Sequence, residues 1–195
     1  MQNSKKIIIR NFLYYKFFNS LFLGLSVGSI FILYTPLEPS IYSLGGIFLA
    51  LGMLIIAKTY QKILTIDYFF KISLFVELIM IMLITYFLVF SYSYTTAFVL
   101  YIGYQLTFVF GSYLVRAETL FLPKRFVLSK LDVFKQTGYL VGMAGAYIFY
   151  KILEYFLITD KQIQVYDLHF LLLFLEIIVV FLLIKSFRSK NIHGS

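Results

Sequence analysis

The feature that most constrains this chain is a set of long blocks that are apolar on every face. The stretches "FVELIMIMLITYFLVF" (75–90) and "HFLLLFLEIIVVFLLI" (169–184) show it most clearly. A strand of a membrane barrel alternates between lipid-facing and lumen-facing residues, and these stretches do not alternate. Only helices and closed barrels satisfy their own backbone hydrogen bonds inside a bilayer, so the blocks predict transmembrane helices.

Composition supports lipid as the solvent of this protein. The 195 residues are 61% hydrophobic and only 13% charged, whereas soluble domains carry about 25% charged residues. Cysteine is absent from the sequence, which excludes disulfides, thiolate metal sites and cysteine nucleophiles. The net charge of +8 does not indicate nucleic-acid binding, because the positive residues cluster at the ends of the apolar blocks.

We predict an all-α, polytopic membrane protein with a single domain over residues 1–195. A helix needs about 20 apolar residues to cross the hydrocarbon. The predicted spans are about 12–35, 40–58, 71–91, 95–116, 136–158 and 167–186. The connections "TPLEPS" (35–40) and "SYSYT" (91–95) are short, and two prolines lie in the first. The boundaries therefore follow both the apolar blocks and the turn residues between them.

The positive charges assign one orientation to these six spans. Fifteen of the seventeen Lys and Arg residues lie in the N-terminal segment, the second connection, the fourth connection and the tail. The opposite connections and their flanks hold only Lys151 and Lys161. Cytoplasmic connections carry the excess of Lys and Arg, so the bias predicts a cytoplasmic (inner) membrane protein with both termini in the cytoplasm.

The most charged stretch, "RAETLFLPKRFVLSKLDVFKQTGYLVG" (116–142), becomes a cytoplasmic connection in this arrangement. Pro123 is expected to end the fourth helix. Ser129 and Asp132 fit a capping box that opens the fifth helix. Three apolar residues share one helical face and allow part of the stretch to lie along the membrane: Val127, Leu131 and Phe134. We favour a simple positively charged connection over a gating role.

Small residues recur at four-residue spacing in the first and fifth spans. Gly24 and Gly28 lie in the first, and Gly138 and Gly142 lie in the fifth. Such stripes let two helices approach closely in lipid. Ordinary bundle packing is the favoured interpretation, and a moving or dimerising interface is the alternative.

Ionisable residues inside the spans are the main candidates for function, because they are costly in lipid. Lys16 and Glu77 match in depth, which suggests an ion pair between the first and third spans. Lys151 and Glu176 match in depth on the other side. Ion pairs that fix helix register are the favoured interpretation. A carboxyl that takes part in proton coupling is the alternative, with Glu176 as its best candidate.

A short internal repeat relates the third and sixth spans. The sequence "FVELIMI" (75–81) is similar to "FLEIIVV" (174–180), and each has glutamate in third position. With three spans in each half, the second half runs in the opposite direction to the first. This predicts a three-plus-three inverted repeat, a plan found in secondary transporters.

The segment "LFLPKRFVLSKLDVFKQTGYLVGMAGAYIFY" (120–150) resembles the part of major facilitator superfamily exporters that joins the fourth and fifth helices. The matching positions are Leu122-Pro123, the basic stretch Lys124 to Lys135, Gln136, Gly138, Gly142 and Gly145. The resemblance implies that the six helices correspond to one half of such a transporter.

The chain departs from that family in two ways. A complete transporter of the family has twelve helices, and this chain has six predicted spans. In "GMLIIAKTYQK" (52–62), Gly52, Leu54 and Lys62 fit the family's loop between helices two and three, but Ile56 replaces its aspartate and Thr59 its glycine. A homodimer, or a pair with a second six-helix half, would supply the missing helices.

In such a dimer the resemblance implies a central cavity lined by spans one, two, four and five. Residues expected to face it are Tyr15, Lys16, Asn19, Tyr42, Tyr101, Tyr104, Gln105, Tyr139 and Tyr147. For Tyr14, Tyr15, Tyr92 and Tyr94 a place in the interfacial aromatic belt is the better interpretation. The candidates for substrate binding or coupling are Lys16, Asn19, Glu77, Gln105, Tyr139, Lys151 and Glu176.

The predicted function is that of a half-size secondary transporter subunit that moves a small solute across the cytoplasmic membrane as a dimer. The alternatives are a non-transporting scaffold or assembly subunit of a larger membrane complex, or a part of a longer chain. An enzyme is not expected, because hydrolase and metalloprotease motifs are absent from the sequence. His169 is expected at the outer interface rather than as a ligand. Neither a metal nor a cofactor is predicted.

Overall fold

The computed structural model describes residues 5–122 and 124–189, and these are almost entirely helical. The helices are α1 (Ile9–Leu33), α2 (Pro39–Lys58), α3 (Tyr60–Ile63), α4 (Ile66–Phe90), α5 (Tyr94–Val109), α6 (Gly111–Phe121), α7 (Arg125–Tyr155) and α8 (Lys161–Ser186). Two short strands, β1 (Lys5–Ile7) and β2 (Phe187–Ser189), precede α1 and follow α8. The all-α prediction is confirmed.

Within the described part of the chain, five helical segments are long and apolar enough to cross a membrane. They are α1, α2, α4, the continuous segment Tyr94–Phe121 that contains α5 and α6, and α8. These segments fit a multi-pass membrane protein. The predicted fifth span lies in α7, which is outside this group of five. Its first turns are charged and its centre, "GYLVGMAGAY" (138–147), is rich in Gly and Tyr, which lowers its mean hydropathy.

Local sequence explains where several helices begin. Pro39 occupies the first turn of α2, where a missing backbone N–H costs nothing. Ser93 Oγ accepts a hydrogen bond from the backbone of Thr96 at 3.0 Å at the start of α5. Asp160 Oδ1 accepts one from the backbone of Gln162 at 2.7 Å at the start of α8. These side chains satisfy backbone donors that have no partner within the helix.

The long helices pack in a continuous series. α7 packs on α1, α1 on α8, α8 on α4, α4 on α5, and α5 on α2. α1, α4 and α8 supply most of the buried side chains. α2 has no buried residue along its length. The core therefore lies between α1, α4 and α8, and α2 and α7 lie at its margins.

α1 and α7 run in the same direction and approach closely. A Cβ atom added at Gly138 would overlap the carbonyl oxygen of Phe17, and one added at Gly142 would overlap that of Leu21. The positions rise together along both helices, so the two helices are parallel. A Cβ atom at Gly24 would overlap a carbonyl oxygen of α7. Gly28, in contrast, has open space around it among the described residues.

The two strands join the ends of the bundle. β1 pairs with β2 in antiparallel fashion, with Ile7 opposite Phe187 and Lys6 opposite Arg188. The backbone N–H of Ile8 donates to the carbonyl of Ser186 at 2.8 Å. The beginning of α1 and the end of α8 therefore lie at the same end of the molecule.

The charged stretch after α6 differs from its prediction. α7 begins at Arg125, so Ser129 and Asp132 lie inside the helix and the predicted capping box is wrong. Pro123 lies outside the described residues. Leu131 is buried, and Val127 and Phe134 pack against the same core cluster. This face is turned to the bundle rather than to the membrane surface, because the helix starts earlier and rests on α1.

Buried polar cluster as the candidate functional site

Five helices bring polar side chains together inside the bundle. α1 supplies three of them from one side of the helix, and α4, α6, α7 and α8 supply one each. The members of this buried polar cluster are Tyr15, Lys16, Asn19, Glu77, Glu118, Lys135 and Glu176. Polar groups at this density within a membrane bundle are candidates for function.

One part of the cluster is a charged triad of Lys16, Glu118 and Lys135. Lys16 Nζ lies 2.5 Å from Glu118 Oε1, and Lys135 Nζ lies 2.6 Å from Glu118 Oε2. The side chains of Lys16 and Glu118 are 7% and 5% exposed, and that of Lys135 is 27% exposed. The triad ties α1, α6 and α7 together, with one carboxylate serving two ammonium groups.

The second part is centred on Glu77, which is buried. The hydroxyl of Tyr15 donates to Glu77 Oε1 at 2.5 Å. The side-chain amide of Asn19 donates to Oε1 at 3.0 Å and to Oε2 at 3.3 Å. Both oxygens of Glu77 are therefore hydrogen-bonded by neutral donors from α1.

Glu176 lies beside Glu77, where α8 packs on α4, and is 0% exposed. Neither of its carboxyl oxygens has a hydrogen-bond partner among the described residues. The two carboxyls are close enough for a hydrogen bond once one of them carries a proton. We call these two residues the carboxyl pair.

The carboxyl pair sits at one depth in the bundle. Glu77 is eleven residues after the start of α4 at Ile66, and Glu176 is ten residues before the end of α8 at Ser186. At about 1.5 Å per residue, both lie roughly 15 Å from these helix ends. Both carboxyls therefore lie well within the apolar part of the bundle.

Both predicted ion pairs are wrong. Lys16 pairs with Glu118 rather than with Glu77, and Lys151 forms an exposed pair with Glu154 at 2.6 Å rather than reaching Glu176. Sequence reasoning missed Glu118 and Lys135 as members of the cluster, because it placed both in the connection between spans. The apolar residues before Glu118 continue at helical spacing up to it. This pattern was the available signal that Glu118 lies within a helix.

The placement of Tyr15 in an interfacial aromatic belt is wrong, and His169 is buried in the bundle. Tyr15 is 1% exposed and binds Glu77, so it does not belong to an aromatic belt. His169 is 2% exposed and its Nδ1 lies 2.6 Å from the carbonyl oxygen of Val165. Its ring packs against Phe87 in a tilted arrangement, with the centroids 4.3 Å apart. Both side chains point inward because their helices turn these faces to the core.

The remaining candidates are dispersed. Gln105 is half-buried, and its carbonyl oxygen has no partner within the described chain. Tyr139 is half-buried on α7 beside Gly24. Tyr101 and Tyr104 are buried and pack against Tyr34 after the end of α1, and Tyr104 also faces Glu176. Tyr147 is exposed. These side chains do not join the buried polar cluster.

An open surface recess lies along the outer face of α6. It is lined by Ser112, Arg116 and Thr119 together with apolar residues, and its volume is about 670 Å³. Arg116 and Thr119 are exposed. A charged side chain on the exposed face of a membrane helix is costly unless something polar covers it.

A basic cleft of about 310 Å³ lies beside β1, at the end of the bundle where the strands pair. Lys5, Lys6 and Lys124 line it with apolar residues of α4, α6 and α7. Partial burial lowers the pKa of Lys5, and the nearby carboxylate of Asp67 opposes this change. The cleft is open and lies far from the carboxyl pair.

Comparison with known proteins gives no relative for this chain: no family model, no curated protein and no solved structure matches it. Among residues 5–122 and 124–189, no group of three His, Asp or Glu side chains is placed to hold a metal ion.

Proposed function

We propose that this protein is a half-size secondary transporter subunit, with a major-facilitator-like architecture, that moves a small solute across the cytoplasmic membrane as a dimer. The observation that carries the proposal is the symmetry of helix packing between the first and second halves of the chain. The first half consists of α1, α2 and α4, and the second of α5 with α6, α7 and α8.

In the proposed repeat α1 corresponds to α5 with α6, α2 to α7, and α4 to α8. Exchanging the corresponding helices leaves the set of major helix contacts unchanged. The contact of α1 with α7 becomes that of α5 with α2, and the contact of α1 with α8 becomes that of α5 with α4. The contact of α4 with α8 maps onto itself. All of these contacts are present, as a three-plus-three repeat requires. Glu77 and Glu176 lie on α4 and α8, the two helices that exchange with each other.

Two observations support α7 as a sixth membrane crossing. The paired strands β1 and β2 put the beginning of α1 and the end of α8 at one end of the molecule, which an even number of crossings requires. α7 also lies parallel to α1 through the close contacts at Gly138 and Gly142. In an inverted repeat the first and fifth spans run in the same direction.

The exposed polar side chains on α6 support pairing of two halves. Arg116, Ser112 and Thr119 face outward from a membrane-spanning segment, and a second half placed against them would enclose a polar cavity. α2 leaves its apolar surface exposed along its whole length. We place the solute between two copies of the chain, or between this chain and a second six-helix half.

Topology is tested by labelling a single cysteine, since the native sequence has none. Thr159 and Ser129 are exposed near the two ends of α7. In intact cells, a membrane-impermeant maleimide should label Thr159→Cys and leave Ser129→Cys unlabelled until the cells are opened. Protection of Thr159→Cys from labelling in intact cells would contradict the proposed sixth crossing, and with it the inverted repeat.

Transport is tested in proteoliposomes with a panel of small aromatic and amphipathic solutes. We expect saturable uptake that falls at least tenfold in Arg116→Gln and persists in the matched control Arg10→Gln, whose arginine is also exposed. Native mass spectrometry in nanodiscs should show twice the 22.8 kDa chain mass. A strict monomer without uptake would favour the scaffold subunit instead.

A further inference from the structure

The hydrogen bonds around the carboxyl pair are incomplete, because a donor to Glu176 is missing among the described residues. Glu77 accepts hydrogen bonds at both oxygens, but Glu176 has two buried oxygens without a partner in the described structure. Ionised carboxylates accept hydrogen bonds only, and a protonated carboxyl can also donate one. A proton on Glu176 would convert two adjacent acceptors into a donor and an acceptor.

The surroundings of the pair contain few other titratable or charged groups. Those that face it from the packed helices are Tyr15 and Lys16 of α1, Tyr104 of α5 and Glu118 of α6. Lys135 of α7 reaches the site only through Glu118. The neutral neighbours include Asn19, which donates to Glu77. Leu172 and Val179, about one helical turn before and after Glu176 on α8, are buried.

Charge balance points to a single proton. The buried polar cluster contains two lysines and three glutamates, so it is neutral when the carboxyl pair holds one proton. With no proton it would hold an uncompensated negative charge in an apolar bundle, which is strongly unfavourable. With two protons the cluster would hold a net positive charge. The groups that donate hydrogen bonds to Glu77 would then face a neutral carboxyl instead of an ionised one.

The geometry fits a proton better than a metal cation. Hard cations such as Mg²⁺ and Ca²⁺ take six or more oxygen ligands. At this site the oxygens of Glu77 already accept hydrogen bonds, which leaves the two oxygens of Glu176. A proton needs only one donor oxygen and one acceptor oxygen, and the pair supplies both.

We propose that Glu77 and Glu176 form a proton-binding site in which Glu176 carries the proton and donates it in a hydrogen bond to Glu77. When the proton leaves, the O–H bond of Glu176 breaks, the proton passes to water and the cluster gains one negative charge. Its use as the coupling ion of transport rests on the proposed function. The site itself can be tested without a substrate.

The test is infrared difference spectroscopy of the purified protein in nanodiscs, in H₂O and in D₂O. The wild type should show the carbonyl stretch of a protonated carboxyl that shifts in D₂O. Glu176→Gln should lose this band, because the remaining Glu77 keeps its hydrogen-bond donors and stays ionised. Glu77→Gln should lose the band too, because the cluster is then neutral with Glu176 ionised, and the new amide can donate a hydrogen bond to it.

The control is Glu154→Gln, which removes an exposed carboxyl outside the cluster and should leave the band unchanged. Thermal unfolding of each variant shows that it is folded. A wild type without the band, or a band that survives in Glu176→Gln, would overturn the proposal. So would loss of the band when sodium replaces a large organic cation at constant pH and ionic strength.

Failure of the proton site and failure of transport are distinguishable. If the band behaves as expected and no solute is taken up, the proton site stands and the transporter proposal falls. If uptake is present but the band is absent, transport is coupled by another route. If both hold, an imposed pH gradient should drive accumulation in the wild type, and accumulation should fall at least tenfold in Glu176→Gln.

Discussion

Glu118 is the residue on which the charged triad depends, since its two oxygens bind Lys16 and Lys135 separately. Removing its charge would leave the buried Lys16 without a counter-ion. We expect Glu118→Gln to lower the free energy of unfolding by about 3 kcal/mol, the lower end for a broken buried pair, because Lys135 can still reach solvent. Equilibrium unfolding in mixed micelles measures the change.

The control for this prediction is the exposed pair of Lys151 and Glu154. Exposed ion pairs contribute little, so Glu154→Gln should leave the unfolding curve in place. Replacing Lys16 with Met in the Glu118→Gln background should restore part of the lost stability, because it removes the buried charge. Additive losses in the double variant would mean that Lys16 and Glu118 are not coupled.

At the residue scale, the sequence identified the polar and ionisable side chains that are costly to bury within a membrane span, but not the residues with which they pair. Lys16, Asn19, Glu77 and Glu176 all belong to the buried polar cluster. Their partners could not be deduced, because residue counting gives depth along a helix but not direction around its axis. Glu118 shows the other limit, since its charge suggested a connection although its helix continues to Phe121.

At the scale of helices, the contact between α1 and α7 depends on glycine. A side chain at Gly142 would meet the carbonyl oxygen of Leu21, and the backbone there cannot move without separating the helices. We expect Gly142→Val to lower the free energy of unfolding by at least about 2 kcal/mol through overpacking. Thermal unfolding monitored by tyrosine fluorescence or circular dichroism measures it.

Gly28 supplies the matched control, because open space surrounds it in the described structure. Alanine favours a helix over glycine by about 1 kcal/mol, so Gly28→Ala should leave stability unchanged or raise it slightly. Equal losses at positions 28 and 142 would show that the close α1–α7 contact is not formed.

The observed helix boundaries agree with the predicted ones where turn residues mark them. They differ where the prediction relied on charged residues. α2 begins at Pro39 and α5 begins after Ser93, close to the predicted bounds of 40 and 95. α7 begins about ten residues before its predicted span. The Lys and Arg residues of this stretch predict a connection, but they have high helix propensity, and the helix continues through them on the surface of the bundle.

At the scale of the whole molecule, the paired strands predict that both ends of the chain can be linked covalently. Lys6 and Arg188 are opposite each other in the antiparallel pair, a geometry within reach of a disulfide. We expect the double variant Lys6→Cys and Arg188→Cys to oxidise within a single chain, seen as a faster-migrating band of monomer mass that reductant reverses.

A second pair tests whether this cross-link is specific. Ser40 lies at the start of α2, at the opposite end of the molecule from Lys6, so Lys6→Cys with Ser40→Cys should not form an intramolecular disulfide. A cross-link in this control, or none in the first pair, would contradict the arrangement of the ends. The strand pairing itself was not predicted, since three residues on each side carry too little pattern.

Because β1 and β2 are adjacent, the same arrangement of helices is compatible with either order of the two halves along the chain. A short glycine linker from Ser189 to Lys5 would close the chain into a ring, which could then be opened between α4 and α5. Such a circular permutant would begin with α5 and end with α4, and its new ends would lie at the opposite end of the bundle. Its folding would show that the two halves assemble in either order.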